Sequence, residues 1–186
     1  MNRRIIHIVI AIVVLMSSQT TLRAQRMAVN TNLFEDLILN PNLGIDIVIF
    51  DKQTISFDLT YAPFKLTQQY HNQNMSFKAG YKYWFNQAFY AHYIGADVVA
   101  MSTDFQVGPF GMRYECLGLG LSYGYSFIIN KQLNIVPHIG AGMSCGYRYE
   151  GRDQMFDPSR VEKAVPTFAA IPIITRFGVT LQYVIK

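Results

Sequence analysis

Charge is scarce in this chain. Asp, Glu, Lys and Arg make up 15% of its 186 residues, against about a quarter in an ordinary soluble domain. Long apolar runs are also scarce. Hydrophobic residues reach 51%, yet beyond the first sixteen positions no stretch approaches the ~20 apolar residues of a membrane-spanning helix. Cysteine and histidine are few, with two Cys and four scattered His, so no metal site is expected. No cofactor-binding motif is present either, and none is expected. The net charge of +4 is mild and partly carried by the N-terminal stretch, which gives no reason to expect a nucleic-acid partner. The length suits a single domain. These absences leave a chain that is apolar overall, with no transmembrane helix expected beyond its first sixteen residues.

What is present begins with a leader. Arg3 and Arg4 precede a compact apolar core from Ile5 to Met16, broken by His7. A polar stretch then ends in Leu22-Arg23-Ala24. Residues 1–24 therefore read as a secretory signal peptide cleaved before Gln25. A membrane anchor is the lesser alternative, because the apolar core is too short to span.

From Gln25 onward the pattern is alternation. Leu43, Ile45, Ile47 and Ile49 interleave with Gly44, Asp46 and Val48. Leu117, Leu119, Leu121, Tyr123, Tyr125 and Phe127 interleave with glycine and serine. The same period of two recurs around Phe57, Tyr81 and Leu181. It means strands with one apolar face. The apolar face is large and branched, which suits lipid. The other is mostly small, with a few charges, which suits a cramped interior.

Short connections at Asp51–Gln53, Asn86–Ala88 and Asn130–Gln132 alternate with longer polar stretches at Lys65–Asn74, Ser102–Arg113 and Glu150–Pro166. Membrane barrels alternate short internal turns with longer external loops. Eight strands are expected near 27–35, 42–50, 54–63, 75–85, 89–101, 114–129, 133–149 and 167–185. The expected fold is all-β: an eight-stranded antiparallel up-and-down transmembrane β-barrel over residues 25–186. Its interior would be filled by side chains. Pro137 and Pro172 conflict with central strands and require bulges.

The candidate site is an interior charge cluster. Counting from the turns places Asp46, Asp58, Lys78, Lys82, His138 and Arg176 inward. Asp46 and Asp58 come out directly opposite each other, so a cation must stand between them, Lys82 first and Arg176 second. A three-residue turn at Asn86–Ala88 points Asp97 at lipid, so a bulge or another turn length is expected to bring it inward. Structural pairing of buried charges is favoured over an ion path. A hydrolase built on His138, Ser144 and Asp46 is disfavoured, because His138 falls near the wrong end. Phe85, Phe89, Tyr125, Phe127 and Tyr183 are expected at one aromatic girdle, and Tyr61, Tyr147 and Tyr149 at the other. Cys116 and Cys145 are expected one step out of register, on opposite faces, as free thiols.

The last strand carries Arg176, Gly178, Leu181 and Tyr183, a pattern that resembles the β-signal read by the outer-membrane barrel-assembly machinery. It departs from that signal in ending on Val184-Ile185-Lys186. More broadly the chain resembles an uncharacterised family, the domain of unknown function three-five-seven-five. The matching stretches are Asn30-Thr31-Asn32-Leu33, Asn40-Pro41-Asn42-Leu43-Gly44, Tyr83-Trp84-Phe85, Gly120-Leu121-Ser122-Tyr123-Gly124-Tyr125 and Ile139-Gly140-Ala141-Gly142. At Gly80, two before Lys82, the chain lacks the acidic residue the family tends to have. The resemblance implies an outer-membrane barrel of a Gram-negative bacterium and, as context only, association with fimbrial genes. The expected role is a non-enzymatic structural or interaction module, with outer-membrane lipid and fimbrial or other surface proteins as partners. An outer-membrane lipid-modifying enzyme and a soluble periplasmic barrel binding an apolar ligand remain as alternatives.

Overall fold

A computed structural model describes residues 27–67, 70–107, 110–151 and 167–185. The leader and its cleavage site lie outside the described residues, as does most of the stretch at Glu150–Pro166. The strands are β1 (Met27–Asn32), β2 (Asn42–Phe50), β3 (Gln53–Thr67), β4 (Tyr70–Trp84), β5 (Ala91–Val107), β6 (Phe110–Ile128), β7 (Leu133–Gly151) and β8 (Thr167–Ile185). A single short helix among the described residues, α1 (Leu33–Leu37), joins β1 to β2. Each strand pairs antiparallel with the next, and β8 closes on β1. The fold is thus the expected closed eight-stranded up-and-down barrel. Followed once around the wall, the registers return about ten residues displaced, a stagger that accompanies strand tilt in a closed barrel.

The alternation sorts side chains as the period of two requires. Leu43, Phe57, Phe77, Val98, Leu119, Leu121 and Ile139 are exposed, while Asp46, Ser56, Lys82, Asp97, Ser122 and Arg176 are buried. The barrel is apolar outside and polar inside.

One end, here called the base, holds Met27, Ile185 and the three short connections. It is plugged by Trp84, Phe89, Tyr93, Ala28, Val136 and Val184. Trp84 packs edge-on against Phe89 and tilted against Tyr93, with ring centroids 5.9 and 4.8 Å away. Phe89 therefore does not join the outer girdle; it turns in and is 4% exposed. The cause is the turn. Gln87 bridges Tyr90 across Ala88-Phe89, and Phe89 and Ala91 take positive φ of 67° and 61°. The expected three-residue turn at Asn86–Ala88 is replaced by this later reversal. Trp84 then pairs with Tyr93 and Gly80 with Asp97, which changes the parity of β5 and brings Asp97 inside.

Three further expectations are corrected. The Asp51–Gln53 turn tightens to Asp51–Lys52, with a register shift between Val48 and Phe50. Asp46 consequently opposes Ser56, and Asp58 opposes Gly44; the two carboxylates are not face to face. The polar stretches at Lys65–Asn74 and Ser102–Arg113 are not long loops. Their described residues continue the ladders, Lys65 opposite His71 and Asp104 opposite Arg113. Pro137 sits in an unshifted register without a bulge: the β6–β7 ladder passes from Gly124↔His138 to Phe127↔Ile135. The bulge lies instead at Thr175, between the pairs Gly140↔Arg176 and Ala141↔Ile174.

Candidate functional site

The interior charges occupy the middle of the barrel, above the aromatic plug. Lys82 reaches across from β4 to Asp46 on β2, with Nζ 2.6 Å from Oδ1. The other oxygen, Oδ2, accepts from Asn30 Nδ2 at 2.9 Å and from Gln182 Nε2 at 2.8 Å. β1, β2, β4 and β8 thus meet on one carboxylate. The Lys82 ammonium also lies 5.5 Å from the centre of the Tyr93 ring.

Arg176 ties a second group. Its Nε donates to Asp97 Oδ1 at 2.7 Å and its Nη2 donates to Ser56 Oγ at 3.0 Å. Nη2 also stands 2.8 Å from Asp58 Oδ2, an ionic contact outside hydrogen-bond geometry. The bulge at Thr175 aims both Thr175 and Arg176 inward, each buried. One guanidinium therefore serves two carboxylates from β3 and β5, which its planar fork suits.

Above these, Lys78 Nζ pairs with Glu35 Oε1 at 2.7 Å, and Thr60 donates to Glu35 Oε2 at 2.9 Å. Glu35 belongs to α1, so the helix is fastened to the inner wall. Alternation could not reveal it, because it is not on a strand. Its signal lay in Asn32 and Glu35, a helix start with an acidic third residue. Asn32 caps Phe34 N through its side-chain oxygen at 3.1 Å.

His138 takes no carboxylate partner in these contacts. Its Nδ1 lies 3.1 Å from Val136 O and 3.4 Å from Thr180 Oγ1. Ser144 hydrogen-bonds Tyr114 Oη at 2.9 Å and Ile171 O at 3.3 Å. The geometry does not pair His138 with Ser144. A gap of about 10 Å³ among Asn30, Asp46, Lys82, Tyr93, His138 and Gln182 has room for one water at most.

Gly178 stands beside the site for a steric reason. Its φ is +134°, and a Cβ there would collide with Asn32 Oδ1 and meet the Phe34 Cβ at 2.9 Å. The close approach of α1 to β8 requires glycine. Arg176 faces in, while Leu181 and Tyr183 alternate with the inward Gln182. The four residues read as an assembly pattern thus each have a place in the packing.

Ion pairs spread over β2 to β5, β8 and α1, with Asn30 of β1 hydrogen-bonded to one of them, hold a wall together. Among the described residues no His, Cys, Asp and Glu group could hold a metal ion. No curated protein and no solved structure matches the chain. A family model described as protein of unknown function (DUF3575) matches residues 9–185, nearly the whole sequence, and the chain belongs to that family.

Proposed function

We propose that the mature chain is an integral outer-membrane protein of a Gram-negative envelope, without enzymatic activity, acting as a structural or interaction module. The observation that carries this reading is the inversion of polarity across the wall. Leu121 is 73% exposed and Leu119 65% exposed, while Asp46 and Asp97 are 1% and 2% exposed. A chain that turns leucines out and aspartates in is matched to hydrocarbon outside. The filled interior and the aromatic plug leave no general channel.

In this reading residues 1–24 are an export signal, and the barrel-assembly machinery inserts the barrel. Fimbrial or other surface proteins are partners at the end opposite the base. Fractionation tests the location. The protein is expected in the outer membrane, extracted by detergent and not by salt or alkali; recovery in the soluble periplasmic fraction would overturn the reading.

A further inference from the structure

The wall is not equally tall all round. β1 and β2 run 6 and 9 residues, whereas their outer neighbours β8 and β3 run 19 and 15. β8 pairs with β1 only from Thr180 to Ile185. β3 pairs with β2 only from Gln53 to Thr60. Above those levels the two strands face each other across a notch where two strands are missing, roughly 14 Å at three strand spacings. Asn32 Nδ2 binds Phe177 O at 2.9 Å, and Tyr61 N binds Pro41 O at 3.1 Å, which finishes each edge at the foot of the notch. Among the described residues, the edges beyond Phe177 and Tyr61 have no strand partner on the notch side.

The notch lies within the apolar belt. Ile174, 72% exposed, pairs with Ala141, which pairs with the mid-wall Leu121. The outward residues of β8 above it are Pro172, Ala170 and Phe168, apolar throughout. The sill is α1 with its C-terminal turn, which presents Phe34, Leu37, Ile38 and Leu39, exposed by 42, 81, 49 and 49%. Outside the barrel, an apolar groove of about 440 Å³ runs past Phe34, Pro137, Ile139, Phe177 and Val179.

Each bare edge also carries a proline, Pro63 on β3 and Pro172 on β8. Proline removes a ladder donor and is a usual guard against strand addition. A bare edge in hydrocarbon still carries unpaired N–H and C=O groups, which lipid tails alone cannot satisfy. The occupant must therefore be apolar along the sill and hydrogen-bonding along the edges.

We infer that this notch is a lateral lipid site: an acylated amphiphile of the outer leaflet lodges between β3 and β8. Its chains lie on Phe34, Leu37, Ile38 and Ile174, and its ester or amide linkages meet the bare strand edges. The inference rests on the membrane reading above.

Depth-dependent quenching separates the two. The mature protein has one tryptophan, Trp84, which is fully buried, so the parent protein supplies the baseline. Leu37→Trp and, as a second position on the sill, Ile38→Trp place an indole at the notch. Leu119→Trp places one on the outer wall, and Met101→Trp one inside the far wall. Each is reconstituted in phosphatidylcholine vesicles with plain or mid-chain brominated tails. The expected result is quenching of the notch variants to the extent of Leu119→Trp, with Met101→Trp at baseline. If Leu119→Trp is quenched and both notch variants stay at baseline, the lipid site is wrong, and protein covers the edges. If Leu119→Trp is not quenched either, the membrane reading fails and the lipid site with it.

Discussion

Removing the guanidinium of Arg176 would leave Asp58 and Asp97 buried with no cation between them. Breaking a buried pair from one side costs about 3–5 kcal/mol, because the stranded charge has lost its partner and cannot regain water. Arg176→Met is expected to destabilise the barrel by that order, read from urea unfolding in lipid vesicles. Arg176→Lys should recover only part of the loss, since one ammonium cannot serve both carboxylates in the geometry of a fork. Glu35→Gln should cost less, because the Lys78–Glu35 pair is more exposed, at 14% and 16%. The cysteines offer a second test at this scale. Cys116 opposes Gly146, and Leu117 opposes Cys145. Successive side chains point to opposite faces, so the thiols cannot join, and both are free. Labelling the denatured mature protein without reductant should modify two cysteines per chain; a protected pair would mean a shifted β6–β7 register.

At the scale of the strand, Leu121 and Ser122 put opposite demands on neighbouring positions. In the proposed membrane location, Leu121→Arg would set a charge against hydrocarbon and should cost about 2–4 kcal/mol. Ser122→Arg should fail through crowding, because Gly95, opposite, already has the Ser122 hydroxyl 2.6 Å from where its Cβ would stand. Unchanged stability of Leu121→Arg in vesicles would show that the outer face of β6 does not meet lipid. The eight strands and their facing were legible because a period of two survives in sequence whatever the loops do. The lost details lay where geometry is set by one residue of backbone. A hairpin whose positive φ falls on Phe89 and Ala91, rather than on glycine or asparagine, carries no turn signal. That single reversal decided the side of Asp97 and the fate of Phe89. The bulge at Thr175 is equally silent, since no glycine or proline marks it. The polar residues of 65–74 and 102–113 looked like loops because apolar alternation stops there, although pairing continues. Of the interior cluster, the strand charges could be read from parity, but which cation met which carboxylate required the registers. Glu35 was out of reach of any strand count.

For the whole molecule, the decisive property is closure. Every strand from β1 to β8 is paired on both sides near the base, so detergent finds no free edge there from which to unzip the ladder. A transmembrane sheet survives in an apolar solvent only because its backbone groups are satisfied internally. The polar layer adds to this, since Asp46 alone joins β1, β2, β4 and β8 through Asn30, Lys82 and Gln182. The protein extracted in dodecyl sulfate without heating should therefore remain a compact barrel and migrate faster on a gel than its boiled form. Boiling breaks the closed ladder, and the chain then binds detergent along its whole length. The Arg176→Met barrel should convert at a lower temperature than the parent, because its wall is held by fewer interior ties. The N-terminus of the same band tests export: sequencing should begin at Gln25. A single mobility at all temperatures, or a chain retaining residues 1–24 in the inner membrane, would contradict assembly of a closed barrel in the outer membrane.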